Sequence, residues 1–137
     1  MGSEIFIDTS GFYALLVRAD DQHDRAVALM QQAAERRGRF VTTDYVLDET
    51  ATLFMARGHS KLLPRFFESV FGSKACRVIW MDADRFEKIR QLFLKNVKRR
   101  WSFTDCMSFT VMRELRLREA STKDAHFKAA GFTALLV

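Results

Sequence analysis

The amino-acid sequence predicts one α/β domain built on a parallel sheet of about five short strands. Short runs of β-branched and aromatic residues alternate along the chain with longer segments of helical periodicity, which is the pattern of successive βα units. The first of these units shows the pattern clearly. Glu4–Ile7 is a buried strand that stops at Asp8, and an amphipathic segment follows at once.

Length and composition fit a single domain over residues 1–137. The chain is long enough to bury a core, and its 13 Phe predict an aromatic-rich interior. The net charge of +5 favours a polyanionic partner. Met1–Ser3 does not enter the fold prediction.

Composition also excludes several classes of protein. The few glycines do not cluster, which excludes P-loop and dinucleotide-binding folds. Cys76 and Cys106 stand far apart and the histidines are scattered, so a zinc site is not expected. No apolar run is long enough to span a membrane, and no signal peptide is evident. We therefore expect a cytoplasmic protein with reduced cysteines and no membrane contact.

The N-terminal half alternates predicted helices and strands. In order, these are a strand at 4–7, helices at 11–18 and 21–37, a strand at 39–43, and helices at 44–57 and from about 64. Gly38 and Gly58 are the predicted stops of two helices, and Pro64 begins the next one because proline is tolerated only in a first turn. The apolar residues within 62–71 exceed one core-facing stripe. They predict contact with another chain, although a well-buried helix is the alternative.

The C-terminal half continues the alternation. It comprises a strand at 76–81, helices at 82–97 and 102–118, a strand at 118–122, a helix at 125–130 and a strand at 132–137. Ser121 weakens the fourth strand, because a large apolar residue is expected there. The basic run Lys95–Trp101 suits single-stranded nucleic acid, with the indole as a stacking platform. A basic helix end that matches the macrodipole explains the run equally well.

Four carboxylates stand out by position, namely Asp8, Glu49, Asp105 and Asp124. Asp8 and Asp124 each follow a strand and precede a helix, so in a parallel sheet both lie at the same edge. Glu49 falls on or beside the inward face of its helix. The helix that begins near Asp105 can point to the same edge.

Each of these acids also has an ordinary structural explanation. The aspartates suit helix caps, with Ser102 and Asp105 matching a capping box, and Glu49 suits an internal salt bridge to an arginine. Together, however, four converging acids would repel one another unless cations held them. All-oxygen ligands favour Mg²⁺ or Mn²⁺, which can activate a water and stabilise a leaving 3′ oxygen in phosphodiester hydrolysis.

The motifs around these acids resemble those of the PIN-domain nucleases, and in particular the VapC-type toxins of toxin–antitoxin pairs. They are FIDTS around Asp8, VLDET around Glu49, WSFTDCMSF around Asp105 and STKDAHFKAAGF around Asp124. The resemblance extends from about Glu4 to Leu136. It implies a three-layer α/β/α fold with a central parallel sheet, and it assigns the four acids to one catalytic Mg²⁺ site, with Asp8 and Asp105 as the usual ligands.

The same resemblance implies an RNA substrate, a homodimer, and an antitoxin that blocks the acidic pocket. This sequence departs from the family pattern at 98–100, which is basic here and frequently acidic in relatives. It also departs at Ser121 and Lys123, where large apolar residues are more common, and Lys123 could pair with Asp124. His126 suits a partner of the metal ligands or a capping or packing histidine.

The expected function is therefore that of a Mg²⁺- or Mn²⁺-dependent endoribonuclease, the toxin of a type II pair. Two alternatives stay open at this point. One is an RNA-processing nuclease of the same fold that has no antitoxin, and the other is a catalytically inactive scaffold that binds RNA or protein.

Overall fold

A computed structural model describes residues 4–137, and Met1–Ser3 lie outside the described residues. The strands are β1 (Glu4–Ile7), β2 (Arg39–Thr43), β3 (Cys76–Ile79), β4 (Glu119–Ser121) and β5 (Thr133–Ala134). The α-helices are α1 (Thr9–Leu16), α2 (His23–Glu35), α3 (Asp44–Ala56), α4 (Leu63–Phe71), α5 (Ala83–Lys95), α6 (Phe103–Glu114) and α7 (Ala125–Ala129). Single 3₁₀ turns precede α4 and follow α5, at Ser60–Leu62 and Val97–Arg99.

The five strands form one parallel sheet in the order β3-β2-β1-β4-β5. Central strand β1 pairs on both sides, and Phe6 lies opposite Val41 of β2 and Ala120 of β4. The predicted α/β fold with a parallel sheet is confirmed. Because all strands run the same way, the residues that follow β1, β2 and β4 meet at one edge, which we call the carboxyl edge.

Aromatic side chains dominate the core, as the composition predicts. Phe54 and Phe66 pack edge to face with their ring centroids 5.6 Å apart, and Phe109 and Phe127 pack in the same way at 4.9 Å. All four side chains are fully buried. Burying a phenylalanine contributes about 1.5–3 kcal/mol to the free energy of unfolding, so these contacts are a main source of stability.

Helix α1 approaches strand β4 so closely that only glycine fits at the contact. A Cβ atom at Gly11 would overlap the backbone carbonyl of Ser121. Ser121 is itself only 2% exposed. Strand β4 therefore forms without a large apolar side chain at this position, because a helix backbone covers it instead.

Two helices end on a left-handed residue that is not glycine. Helix α2 ends at Glu35, and Arg37 has φ 53° while Gly38 donates its N–H to the Ala33 carbonyl at 2.7 Å. The helix therefore ends two residues before the predicted end at Arg37, and Arg37 rather than Gly38 takes the left-handed conformation that closes it. Gly58, with φ 77°, does end α3 as predicted.

Helix α6 shows the same geometry. It stops at Glu114, four residues earlier than predicted, because Arg116 adopts φ 57° and Leu117 donates to the Met112 carbonyl at 2.8 Å. This hydrogen bond closes the helix in a Schellman motif. Nothing in the residue types signals it, since arginine is an unusual choice for the left-handed position.

Trp101 is not available for base stacking. Trp101 is only 6% exposed, and its indole packs edge-on against Phe109 with the ring centroids 4.9 Å apart. The Arg99 guanidinium carbon lies 5.1 Å from the centroid of the indole. The interpretation of this indole as a nucleic-acid platform is therefore wrong. Along residues 4–137 no helix has both the length and the apolar character needed to cross a membrane.

Candidate active site

A cleft of about 280 Å³ lies at the carboxyl edge of the sheet. All four acids singled out in the sequence, Asp8, Glu49, Asp105 and Asp124, line this cleft. Two of them arrive on the loops that follow β1 and β4, and the other two arrive on helices α3 and α6. The parallel topology is what brings together residues that lie far apart in the sequence.

Asp8 is held from three directions at the start of α1. One carboxylate oxygen accepts hydrogen bonds from the Gly11 N–H and the Ser10 hydroxyl, both at 2.9 Å, and the other accepts from the Thr122 hydroxyl at 2.6 Å. Asp8 is only 7% exposed, and this burial raises its pKa to about 7. The charge of Asp124 adds to the rise in pKa, whereas the three hydrogen bonds oppose it.

Asp105 is oriented by the capping box predicted at the start of α6. Its backbone N–H donates to the Ser102 hydroxyl at 2.9 Å, and the Ser102 backbone N–H donates to its carboxylate at 3.1 Å. Burial raises the pKa of Asp105, and the charge of Asp124 raises it further. Ser102 therefore fixes the direction in which this carboxylate faces the cleft.

Asp124 caps α7 and lies beside His126. Its carboxylate accepts the His126 backbone N–H at 2.8 Å. The His126 Nδ1 atom lies 3.4 Å from a carboxylate oxygen of Asp105 and 3.5 Å from one of Asp124. One potential ligand atom from each of these three residues lies within 4.8 Å of the others, so the group could hold a metal ion.

Glu49 differs from its expected environment. It is exposed on the wall of the cleft and accepts a hydrogen bond from the Thr9 hydroxyl at 2.6 Å. Within residues 4–137 it forms no ion pair with a lysine or arginine, so the salt-bridge interpretation is wrong for the part of the chain that the structure describes. The buried polar residue of this helix is Thr50.

Lys123 does not pair with the neighbouring Asp124. Its Nζ atom binds both carboxylate oxygens of Asp20 at 3.2 Å and one of Asp21 at 2.5 Å. Its backbone N–H donates to the Ser10 hydroxyl at 2.8 Å. Lys123 thus ties the loop after β4 to the loop after α1 and leaves the carboxylate of Asp124 to the cleft.

Several residues that line the cleft were missed in the sequence. Asp20 is a fifth carboxylate, and Tyr13 and Arg57 lie in the wall as well. No local signal marks them, because Asp20 meets Lys123 only across 103 residues of sequence. Thr122, which holds Asp8 rather than lining the cleft, had one usable signal, since it is the last residue of the strand predicted at 118–122 and so had to lie at the carboxyl edge.

Comparison with known proteins agrees with this geometry. The PIN domain family profile matches residues 5–133 of the chain. The 23S rRNA-specific endonuclease VapC20 of Mycobacterium tuberculosis is 34% identical over 129 residues, which are 93% of this chain and 95% of that protein. A VapC ribonuclease of Archaeoglobus fulgidus is 33% identical over 116 residues, which are 82% of this chain and 72% of that protein.

The fold has a close counterpart among solved structures. The crystal structure of M. tuberculosis VapC20, described as a sarcin–ricin loop cleaving toxin, superposes with a TM-score of 0.83. The superposition covers 94% of this chain and 96% of the other, at 32% sequence identity. Together with the profile match over nearly the whole chain, this shows that the protein belongs to the PIN domain family.

Proposed function

We propose that this protein is a metal-dependent endoribonuclease that hydrolyses RNA phosphodiester bonds as the toxin of a type II toxin–antitoxin pair. The observation that carries this proposal is the convergence of four acids, each in a PIN-type motif, on one cleft. The VapC relatives, one of them similar over 93% of the chain, support the activity, and the solved VapC20 structure, described as that of a toxin, supports the toxin role. The retention of all four acids argues against an inactive scaffold.

The residues of the cleft fit a divalent metal ion. The carboxylate oxygens that line the cleft are donors that suit Mg²⁺ or Mn²⁺. Burial raises the pKa of Asp8 and of Asp105 although hydrogen bonds oppose the rise, which means that their charged forms are only partly compensated within the described protein. A divalent cation would supply that compensation, and we assign Asp8 and Asp105 as ligands, with Glu49 and Asp124 completing the site.

When bound, such an ion activates water and neutralises charge on the phosphodiester group. The residues of this chain would supply orientation. Gly11, Ser10 and Thr122 hold Asp8, and Ser102 holds Asp105, so neither ligand needs to reorganise when substrate arrives. Fixed ligands of this kind favour the transition state over the free substrate.

Glu49 is suited to a further task besides completing the metal site. It is the most exposed of the four, and only its Oε1 atom accepts a hydrogen bond from the residues at 4–137. Its Oε2 atom can therefore accept the proton of the water that attacks phosphorus. We assign Glu49 as the general base.

Ribosomal RNA is the first substrate to test. VapC20 carries 23S rRNA in its name, and the similarity to that protein extends over nearly the full length of both chains. We propose an RNA of this class for the present protein, with a cytoplasmic site of action. The net charge of +5 supports a polyanionic substrate.

Protein partners are proposed on the basis of the surface of α4. Phe67 and Phe71 are exposed on this helix and stack on each other with their ring planes 16° apart. Exposed aromatic pairs are typical of protein contacts. We propose that this face meets a second copy of the chain or the antitoxin. Light scattering of the isolated protein should report twice the mass of one chain if the face forms a homodimer.

The test of the function is cleavage of total RNA in Mg²⁺, in Mn²⁺ or with EDTA, comparing wild type with Asp8→Asn and Asp105→Asn. We expect discrete fragments from wild type with metal, and none from the variants or with EDTA. The fragment ends would map the target. An absence of cleavage by wild type under every condition would refute the nuclease proposal, and equal cleavage by all three proteins would refute the assignment of the site.

A further inference from the structure

Two cations line the acidic cleft, and they differ in availability. The ammonium group of Lys123 forms ion pairs with Asp20 and Asp21. Arg57, which directly follows α3, is exposed and makes neither a side-chain hydrogen bond nor an ion pair with any residue between 4 and 137. Among the described residues of the cleft, Arg57 therefore offers the guanidinium donors that a ligand can use.

The side chain of Arg57 is nevertheless supported. Its guanidinium carbon lies 5.1 Å from the centroid of the Tyr13 ring, in a cation–π contact. The Tyr13 hydroxyl is hydrogen-bonded to Nε2 of His59 at 3.1 Å, and its ring packs against the fully buried Phe54 with the centroids 5.7 Å apart. An arginine supported in this way loses less conformational entropy on binding than a free surface arginine.

The position of Arg57 places it along the cleft from the four acids. Glu49, Leu53 and Arg57 follow one another at intervals of four, and all three line the cleft. Eight residues correspond to about 12 Å along a helix axis. Among residues 4–137 no carboxylate oxygen lies within 4.0 Å of the guanidinium, so Arg57 does not belong to the acid cluster.

We propose that Arg57 binds an RNA backbone phosphate adjacent to the scissile one, and so fixes the register of the strand in the cleft. This inference rests on the proposed nuclease function. A guanidinium fork matches phosphate oxygens in a bidentate manner, and an otherwise acidic cleft needs such a cation to receive a polyanion. Because the flanking phosphate is unchanged by the reaction, its contact stabilises bound substrate and transition state alike.

The test is steady-state cleavage of a short synthetic RNA that spans the site mapped in total RNA. Arg57→Gln removes both the positive charge and the paired guanidinium donors. Arg57→Lys keeps the positive charge but not the paired donors. Arg25→Gln is the matched control, since Arg25 is exposed on α2, lines no part of the cleft and has no ion pair within 4–137. Thermal unfolding of each variant checks that the fold is intact.

We expect Arg57→Gln to raise KM about tenfold with kcat within twofold of wild type, the signature of lost uniform binding. Arg57→Lys should recover part of the loss in KM, and Arg25→Gln should match wild type. The slope of log affinity against log salt should fall by about 0.7 for Arg57→Gln, the value for one phosphate contact to a single strand.

A second substrate separates the contact from a general charge effect. Two RNAs are compared, each with a neutral methylphosphonate in place of one of the two phosphates that flank the scissile phosphate. One of these two substitutions should raise the KM of wild type. The same change should leave KM of Arg57→Gln unchanged, because that variant has already lost the contact.

The outcomes separate this inference from the function on which it rests. If wild type cleaves RNA and Arg57→Gln has the KM of Arg25→Gln, the inference is wrong and the nuclease proposal stands. A fall in kcat without a rise in KM would also overturn it, since Arg57 would then act on the reacting group. If wild type cleaves no RNA, the function fails and this inference fails with it.

Discussion

Replacing Asp8 with asparagine should stabilise the protein in the absence of metal, and the gain should depend on pH. Asparagine keeps the shape of the side chain and an oxygen that can accept the Gly11 N–H. Its amide can donate to the Thr122 hydroxyl, which can donate in turn to Ser10 at 3.2 Å. The substitution therefore removes a buried charge at little cost in hydrogen bonds.

The size of the effect follows from the pKa of Asp8, which burial raises from 3.8 to about 7. Between these two values the folded protein holds a proton that the unfolded chain has released, so the free energy of unfolding falls as pH rises through this window. The full difference amounts to about 4 kcal/mol above pH 7. A gain of half that size would raise the melting temperature of Asp8→Asn by roughly 6–10 °C.

The assay is thermal unfolding of wild type and Asp8→Asn in EDTA between pH 5 and pH 8.5. At pH 5 the Asp8 side chain is protonated in the folded state but mostly ionised in the unfolded chain, so only about a third of the full difference has developed and the gap in melting temperature should be small. At pH 8.5 the variant should melt higher. Added Mn²⁺ should stabilise wild type and act less on the variant, because binding to the folded state adds to its stability.

A difference in melting temperature that does not change with pH would refute this reasoning, because it would show that the asparagine acts through packing alone. A lower melting temperature of the variant at pH 8.5 would also refute it. In that case the charged form of Asp8 would be stabilised by its three hydrogen bonds more than burial destabilises it.

Three further predictions follow from local contacts. Gly11→Ala should destabilise the protein by about 1–3 kcal/mol in urea unfolding, because the added methyl group meets the Ser121 carbonyl, and an unchanged midpoint would contradict this. Ser102→Ala should lower the free energy of unfolding by about 0.5–2 kcal/mol, because the helix cap is lost. It should also slow RNA cleavage, because Asp105 is no longer held in place. A loss of stability with full activity would show that Ser102 caps the helix without orienting Asp105 for cleavage. Glu49→Gln should reduce kcat by about 10²–10⁴-fold, as expected for a lost general base. Its free energy of unfolding should stay within about 0.5 kcal/mol of wild type. Retained cleavage would exclude Glu49 as the base.

Local rules account for the features that the sequence predicted well. A strand that ends in an aspartate, followed at once by a helix, implies both a cap and a place at the carboxyl edge, and Asp8 and Asp124 show both. The capping box of Ser102 and Asp105 is equally local. The ends of α2 and α6 were mispredicted where an arginine takes the left-handed conformation, since composition predicts glycine at such positions.

Features that depend on distant partners were not predictable in this way. The environment of Glu49 depends on Thr9, which lies 40 residues away in the chain. Trp101 stands in a basic run but is buried, because Phe109 and the core of the sheet cover it. Residue types within a segment do not report which surface the rest of the fold will cover.

The sequence by itself determined the order of strands and helices, the parallel sheet and the four acids of the candidate site. Period, capping and turn chemistry act over a few residues and can be recognised without coordinates. Only the tertiary structure decided which charges remain free. Lys123 is neutralised by a loop 103 residues away, while Arg57 rests on Tyr13 and stays open to the cleft. Charge pairing depends on distance in space, and that distance exists only after the chain has folded.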